Sequence, residues 1–306
     1  MGSLILRRLV SGLLTVVAVY TLTFLMVITV PGNPLQHGER NMPREAAEAL
    51  RARYSMDNNW LDFGQFLAGA ARFDFGPSFT YVDWTCGQII AEALPVSAAL
   101  GLMAVAIAVI VGVPIGVYSA VHRNGWFDVT ALTFTLLGIS LPTFVTGSAL
   151  LTLFAVYGGP APVGGWGTPA HLPLPAITLA LPFIAYVARL MRAGMIDVLS
   201  SDYIRTAVAK GVAPRDVIWR HALRPAFLPV LSYLGPATAQ AMTGSFVVEK
   251  VFGVPGLGQH FVNAALNLDA GLLLGTVLVF STLLVALNML VDVLYAVLDP
   301  RIRSAA

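Results

Sequence analysis

Charge is what this sequence has least of. Only 11% of its 306 residues are Asp, Glu, Lys or Arg, whereas soluble proteins average about 25%. Apolar residues make up 57%, against roughly 45 to 50% in soluble proteins. A chain of this length could otherwise form two soluble domains, but this composition excludes that class and predicts an integral membrane protein.

Cysteine and lysine are also scarce. Cys86 is the only cysteine, which excludes an intrachain disulfide, and we interpret it as a small residue near a membrane surface. The two lysines follow Ala209 and Glu249, so the sequence contains no Gly-Lys-Ser/Thr loop of the kind that cradles nucleotide phosphates. The chain therefore cannot bind ATP by this motif, and any ATP-driven role requires a separate ATPase subunit.

Motifs of covalent catalysis are missing as well. The sequence contains neither H-E-x-x-H nor G-x-S-x-G. The histidines are scattered at His37, His122, His171, His221 and His260. A membrane enzyme is therefore a weak hypothesis, and we expect no catalytic residue and no metal site.

Long apolar runs are what the sequence does contain. About 20 apolar residues cross a hydrocarbon core of roughly 30 Å. Six runs predict six transmembrane helices, at about 9–30, 93–120, 127–157, 174–199, 225–248 and 272–298. The first run is longer than the apolar part of a signal peptide and lacks an A-x-A site, which indicates an uncleaved signal anchor. We therefore divide the chain into an N-terminal span (1–30), an extracytoplasmic loop (31–92) and a five-span core (93–306).

The loop 31–92 contains signals for two short helices. Pro43 can open a helix that runs to about Tyr54, and a second helix is expected from about Trp60 to Ala71. One face of the second helix carries Trp60, Phe63, Phe66 and Leu67. We interpret these side chains as anchors at the membrane surface.

The basic residues of the other loops indicate the orientation. Long loops cross the membrane largely regardless of charge, so the loop 31–92 is not counted. Only Lys250 falls on one side, and twelve basic residues fall on the other: Arg7, Arg8, Arg123, Arg189, Arg192, Arg205, Lys210, Arg215, Arg220, Arg224, Arg301 and Arg303. This count predicts that both termini and the segment 202–223 are cytoplasmic and that Cys86 lies outside.

Small residues recur at every fourth position of the second span. They are Ala104, Ala108, Gly112, Gly116 and Ala120. A continuous stripe of small side chains lets another helix approach closely. We therefore predict a helix contact at Ala108 and Gly112.

Proline and polar residues inside two spans mark a candidate translocation pathway. Pro142 removes a backbone hydrogen bond from span three and predicts a kink. The polar residues beside it and on span five are Ser140, Thr143, Gln240, Thr243 and Ser245. Kinks are tolerated in a membrane where protein or a water-filled cavity satisfies the freed groups. A purely structural kink is an equally good interpretation of Pro142.

The segment from Asp202 to Leu223 is the longest polar stretch between two spans of the second half. Apolar residues at helical spacing predict a short amphipathic helix: Tyr203, Ile204, Ala207, Val208, Gly211 and Val212. Ser201 or Asp202 can cap its start, and Gly211 fits a left-handed residue at its end. Pro214 suits the first position of a second helix. A solvated loop remains an alternative, whereas the flanking spans argue strongly against a DNA-binding helix-turn-helix.

An ion-coupled carrier is the main rival function. Such a protein normally places an ionisable side chain near the bilayer centre, where it is costly and functional. Here the ionisable residues lie toward the ends of the spans: Glu92, Asp128, Arg189, Arg192, Glu249, Asp269 and Asp292. Coupling to protons or sodium is therefore disfavoured.

Three spaced motifs resemble the permease subunits of ATP-binding-cassette (ABC) importers, in their dipeptide/oligopeptide branch. The first is Y-x-R-T-A-x-A-K-G at 203–211, with H-A-L-R at 221–224. The second is V-E-K-V-F at 248–252 with P-G-L-G at 255–258. The third is V-D at 291–292 with L-D-P-R-I-R at 298–303. The resemblance covers nearly the whole chain, and the long loop after span one resembles the first of the family's two permease subunits.

The resemblance implies a fold and two sets of functional residues. The fold would be an all-α, six-span bundle of the type I importer kind, with a cytoplasmic coupling helix. In the coupling loop 200–223 the residues implied to dock on the ATPase are Asp202, Tyr203, Arg205, Thr206, Ala207, Lys210, Gly211 and Arg215. An outer gate loop is implied at Phe252, Pro255, Gly256, Leu257 and Gly258. The sequence departs from the family pattern at 268–271 and at Ala213, where a capping serine is common.

The resemblance also implies a function and partners. The chain would be a permease subunit in the bacterial cytoplasmic membrane, importing short peptides or related solutes such as nickel or haem-like cargo. Its partners would be a homologous second permease subunit, two ATP-binding subunits at the cytoplasmic face, an extracytoplasmic substrate-binding protein and membrane lipid. Those ATPases would bind ATP and Mg, so we expect no cofactor in this chain, and no nucleic acid as a partner.

Overall fold

The computed structural model describes residues 2–29, 59–81, 83–159, 162–243 and 245–298. Within those ranges the chain is helical, as predicted, and its β structure is limited to an isolated bridge between Pro77 and Thr85. The α-helices are α1 (Gly2–Thr29), α2 (Asn59–Ala70), α3 (Cys86–Val121), α4 (Trp126–Ser140), α5 (Thr143–Leu151), α6 (Pro173–Leu199), α7 (Asp202–Ala209), α8 (Pro214–Asp216), α9 (Leu223–Ala226), α10 (Leu228–Thr243), α11 (Phe246–Phe252), α12 (Leu257–Leu266) and α13 (Ala270–Leu298). Two π-helical segments, Thr152–Val156 and Val217–Ala222, and a 3-10 turn, Pro169–His171, join them. The helix predicted from Pro43 to Tyr54 lies outside the described residues.

Apolar helices long enough to cross a membrane match most of the predicted spans. In the described part of the chain they are Leu6–Thr29, Cys86–Val121, Pro169–Leu199 and Ala270–Val293, with a bent pair, Trp126–Ser140 and Thr143–Val156, as a possible fifth. The predicted span 225–248 is divided among α9, α10 and α11, so it does not reach that length. Pro229 has no N–H to donate to the carbonyl of residue 225, and α10 begins beside it.

Span three is broken at Pro142, which corrects the prediction of a kinked helix. The axes of Trp126–Ser140 and Thr143–Val156 differ by 103°. Leu141 leaves the helical region with φ −81° and ψ 127°, and Pro142 is extended at φ −58° and ψ 138°. The proline ring disfavours helical angles in the residue before it, so two successive residues leave the helix and the chain turns.

Contacts divide the chain into two units, Met1–Ser97 with Pro255–Val285, and Ala98–Val254 with Ala286–Ala306. The core of the first unit is aromatic and aliphatic, and Tyr20, Cys86 and Leu272 are fully buried in it. The predicted interfacial helix is α2. Its Phe63 and Phe66 rings lie 4.9 and 6.0 Å from the ring of Tyr20, and the Tyr20 hydroxyl donates to the Phe63 carbonyl. These two phenylalanines are therefore half-buried against the core of the unit, and their role as anchors at the membrane surface stays a prediction.

The second unit is built around α6. Helices α4, α5, α9, α10 and α11 all pack against it. The predicted stripe of small residues on α3 is buried and lies on the same helix: an ideal Cβ on Gly112 would be 2.9 Å from the Ile184 carbonyl oxygen, and one on Gly116 would be 2.5 Å from that of Ala188. The predicted helix contact is thus confirmed, and it lies within this chain.

Replacing Gly112 with Leu is expected to destabilise the protein, because the new side chain has to displace backbone and side-chain atoms of α6. Overpacking of this kind costs about 1–3 kcal/mol. Gly64→Leu is the matched control, since a Cβ there meets nothing within 4 Å and the gain in helix propensity is the same. The thermal unfolding midpoint in detergent measures both variants. Equal unfolding midpoints for Gly112→Leu and Gly64→Leu would show that α3 and α6 can move apart without a loss of stability.

Candidate coupling segment and pathway residues

The end of α7 has the geometry that the sequence predicted for Gly211. Its φ is +80°, in the left-handed region. The Gly211 N–H donates to the Val208 carbonyl at 2.9 Å, and the Val212 N–H donates to the Ala207 carbonyl at 3.2 Å. This pair of bonds is a Schellman motif, which satisfies carbonyls left over at the end of a helix. The turn therefore fixes where α7 stops and how the chain leaves it.

The start of α7 differs from the prediction of a side-chain cap. Ser201 has the extended angles of a capping residue, but its hydroxyl donates to the Val198 carbonyl at 2.6 Å. Asp202 is already the first helical residue, and its carboxylate accepts from Arg205 at 3.2 Å. The serine hydroxyl is held by the last turn of α6, because that carbonyl lies close to it. An acidic residue in the first turn still favours the helix electrostatically.

The apolar face of α7 packs on its own chain. Ile204 and Ala207 are buried, and α7 contacts the π-helical segment Val217–Ala222. Ala207, one of the residues that the resemblance implies to dock on the ATPase, is thus covered by its own chain, as is Ile204. The predicted docking residues that are exposed are Asp202, Tyr203, Arg205, Thr206, Lys210, Gly211 and Arg215. The surface that α7 offers to a partner is therefore polar and basic, with Tyr203 and Val208 as its apolar contributions.

The second helix of the segment begins at Pro214, as predicted, and continues as a π-helix. Ala213 holds the capping position, where it offers no side-chain hydrogen bond. Arg220 and Asp216 form an exposed ion pair at 3.3 Å one turn apart. This part of the segment is thus held by backbone bonds and by its contact with α7.

Sequence reasoning missed an ion pair that joins α4 to α6. The Asp128 carboxylate accepts from Arg192 Nε at 2.6 Å and from Arg192 Nη2 at 2.7 Å, and also from the Asn124 N–H and the Ser119 hydroxyl. Asp128 is 2% exposed and Arg192 is 20% exposed. In the sequence, Asp128 and Arg192 lie near the ends of predicted spans on the same side of the membrane. Their opposite charges among apolar residues are the feature that could have indicated the pair. The pair ties the turn after α3 to the half of α6 that leads into α7.

The predicted pathway residues do not all share one environment. Ser140, Pro142 and Gln240 are exposed, and Thr143 and Thr243 are half-buried. Ser245 is fully buried, and its hydroxyl bonds to the buried Glu249 carboxylate. Its side chain therefore belongs to the interior of the second unit, while a pathway role for the other five stays a prediction.

The predicted outer gate loop runs from the second unit into the first. In the second unit Phe252 is buried at the end of α11, and its carbonyl accepts from the Gly165 N–H at 2.8 Å. In the first unit the Leu257 N–H donates to the Ser97 hydroxyl at 2.8 Å, Gly256 and Gly258 are buried, and Pro255 is exposed. The stretch Glu249–Gly271, between the predicted spans five and six, is largely helical. Each side of the motif is thus anchored by backbone hydrogen bonds.

Ionisable groups outside the spans offer little chemistry. His260 on α12 lies beside the Tyr81 ring at 5.4 Å, and burial lowers the pKa of its imidazole. Among the described residues there is no group of three or more His, Cys, Asp or Glu side chains that could hold a metal ion.

Comparison with known proteins decides the family. Residues 112–304 match the family described as "Binding-protein-dependent transport system inner membrane component". The chain belongs to this family. The permease is therefore a membrane component of a transport system, and the family description names the inner membrane as its place.

Relatives of the permease match it from end to end. It is 42% identical to the oligopeptide transport system permease protein OppB of Haemophilus influenzae and 43% identical to OppB of Salmonella typhimurium, in each case over 98% of both chains. It is 38% identical to the dipeptide transport system permease protein DppB of Bacillus subtilis, over 99% of this chain and 98% of the relative. The resemblance inferred from the three motifs is confirmed.

A solved structure supports the fold. A chain of the MetNI methionine ABC transporter in an inward-facing conformation aligns with 69% of the permease at a TM-score of 0.55, covering 97% of that chain at 16% identity. At this identity the likeness concerns the fold alone. The expected helical permease fold of the type I importers is thereby confirmed.

Proposed function

We propose that the permease forms half of the translocation pathway of an ATP-driven importer of short peptides. The observation that carries this proposal is the identity of 38 to 43% with oligopeptide and dipeptide permeases over 98% or more of the chain. A homologous second permease subunit would supply the other half, and an extracytoplasmic binding protein would deliver the peptide. Identity over the whole length argues that the substrate class is shared along with the fold.

In this proposal two ATPase subunits bind at the cytoplasmic face of the paired permease subunits, and one of them docks at the exposed face of α7 and at Arg215. Arg205, Lys210 and Arg215 give that face a positive charge, which suits a groove rimmed by acidic residues. The sequence lacks the phosphate-binding loop, so this proposal assigns ATP hydrolysis to the partner subunits. ATP and Mg bind to the partner subunits, and closure of the ATPases is converted into alternating access of the pathway.

Reconstitution tests the function directly. The permease, its second permease subunit, the ATPases and the binding protein are assembled in liposomes, and uptake of labelled peptides of two to five residues is measured. We expect uptake that requires ATP and the binding protein, while the permease alone hydrolyses no ATP above background. Uptake driven by an ion gradient without ATP would instead favour the rival ion-coupled carrier, and robust ATP turnover by the single chain would contradict the assignment of roles.

Both termini and α7 are proposed to face the cytoplasm, on the strength of the twelve-to-one charge count. Cys86 cannot report on this by thiol labelling, because it is fully buried. New cysteines at exposed positions can: Arg72→Cys is expected to react with an impermeant maleimide on intact spheroplasts, and Arg123→Cys only after the membrane is opened. The reverse pattern would invert the topology. Buried Cys86 leaves the background of both experiments low.

A further inference from the structure

Helix α4 is attached to the second unit along one narrow seam. Of its 15 residues, only Asp128 and Thr135 are buried. These positions are seven residues apart, so they lie on one face of the helix. The helix packs against α6, and its other residues are exposed or half-buried. The position of α4 relative to α6 therefore depends on few contacts.

Away from the ion pair the seam contains small residues and a gap. An ideal Cβ on Gly138 would lie 3.5 Å from the Leu181 carbonyl oxygen and 3.7 Å from the Ala185 Cβ, which are ordinary contact distances. A cavity of about 10 Å³ between α3, α4 and α6 lies beside Thr135 and Arg192. Apolar contacts carry no direction, so they alone do not fix the rotation of α4 on α6.

The Asp128 carboxylate supplies the direction that these contacts lack. It accepts two hydrogen bonds from Arg192 on α6, one from the Ser119 hydroxyl on α3 and one from the Asn124 N–H in the turn between α3 and α4. A two-bond contact between a carboxylate and a guanidinium is specific in geometry as well as strong. Asp128 therefore fixes the start of α4 against α3 and α6 at the same time.

Arg192 lies close to the coupling segment along α6. It precedes the end of α6 at Leu199 by seven residues, roughly 10 Å at 1.5 Å per residue. Only Ser200 and Ser201 connect α6 to α7, and their N–H groups and hydroxyls all donate to carbonyls in the last turn of α6. A displacement of α7 is therefore passed to α6 without an intervening flexible linker.

The other end of α4 reaches the predicted pathway. From Asp128 to Ser140 the helix rises roughly 18 Å. The break at Pro142 follows, where the axes of the bent pair differ by 103°. Ser140, Pro142 and Thr143 are pathway residues predicted from the sequence. The ion pair thus stands between the segment proposed to bind the ATPase and a segment proposed to line the pathway.

We infer that Asp128 and Arg192 are positioning residues, which make α4 follow α6 when the ATPase moves α7. This inference rests on the proposed docking of an ATPase on α7. Loss of the two-bond contact leaves α4 attached but free to shift, so ATP hydrolysis no longer moves the break at Pro142 in full. The role is separate from the stability that the pair contributes, because stability requires a compensated charge and positioning requires the fixed geometry.

Arg192→Lys separates the two roles. Lysine keeps the positive charge that compensates Asp128, but it lacks the planar fork that makes both bonds. Reconstituted complexes with this variant should take up at least about fivefold less peptide per ATP hydrolysed, the factor that the loss of one hydrogen bond produces. A purely structural role would lower uptake and hydrolysis together and leave their ratio unchanged. Arg189→Lys is the matched control and should keep the wild-type ratio, since Arg189 lies one turn earlier on α6 and forms no ion pair with a described residue.

A distance measurement tests the positioning without relying on transport. Spin labels are attached at Leu137→Cys of α4 and Asp197→Cys of α6, both exposed positions, in the full-length permease of the assembled complex; Cys86 is buried and takes no label. We expect one narrow distance with and without ATP, and this narrow distance should be lost when Arg192→Lys is added.

Two results would overturn the inference: an unchanged narrow distance in the Arg192→Lys background, or an unchanged ratio of uptake to hydrolysis. Absence of ATP-driven uptake by the wild-type complex would instead contradict the proposed function. In that case the distance between α4 and α6 still decides whether the pair positions α4.

Discussion

Asp128→Asn is expected to cost the permease about 3–5 kcal/mol of stability, the loss typical of breaking one side of a buried ion pair. The substitution keeps the shape of the side chain but leaves the Arg192 guanidinium without the carboxylate that takes both of its hydrogen bonds. Arg192 is mostly buried and cannot recover full hydration. Most of the loss of stability therefore comes from leaving the Arg192 charge uncompensated. The lost attraction between the two side chains contributes less.

An exposed pair on the same unit provides the control for this loss. Asp202 and Arg205 lie 3.2 Å apart with side chains 96% and 73% exposed, so Asp202→Asn should cost at most about 1 kcal/mol, including its effect on the start of α7. Thermal or denaturant unfolding in detergent compares the two variants. Arg192→Gln and the double variant complete a mutant cycle, in which the double variant should be less damaged than the sum of the singles. If Asp128→Asn behaves like Asp202→Asn, the pair does not hold α4 to α6.

Gly211→Val is expected to reduce transport while leaving insertion and assembly intact. A side chain at φ +80° costs about 1–2 kcal/mol in the left-handed region, and a β-branched one is disfavoured most. A Cβ at this position meets nothing within 4 Å, so the cost is conformational and no clash contributes. The two bonds that close α7 would be lost for part of the time. A change of 1–2 kcal/mol corresponds to roughly a 5- to 30-fold change in the population of the closed turn.

Transport and binding-protein-stimulated ATP hydrolysis should fall together in this variant, because both depend on the surface that α7 presents. Gly211→Asn is the matched control, since asparagine tolerates the left-handed region better than other residues with a side chain. Both rates are measured in liposomes that contain equal amounts of assembled complex. Wild-type rates for Gly211→Val would mean that the turn is only a connector, and the proposed coupling role of α7 would lose its physical support.

Features that depend on local chemistry could be predicted from the sequence. Apolar runs indicated the membrane helices, because the hydrocarbon core allows few alternatives to a helix. Gly211 and Pro214 gave the end of one helix and the start of the next, since positive φ and a missing N–H restrict those positions to few residue types. The stripe of small residues on α3 predicted a close helix contact, because these residues recur at every fourth position. Each of these inferences needs only residues within a few turns of one another.

The tertiary structure decided what depends on residues distant in the sequence. Asp128 and Arg192 are 64 positions apart, and their pairing follows from the packing of α4 on α6, which no local pattern records. Ser245 has a residue type that suits a pathway, yet it is fully buried against Glu249, and Phe63, a residue type found in membrane anchors, packs half-buried on Tyr20. Pro142 predicted a bend, but its 103° angle is set by where α4 and α5 pack against α6. A side chain's type limits the contacts it can make, and the fold selects among them because only packing determines which groups are removed from water together.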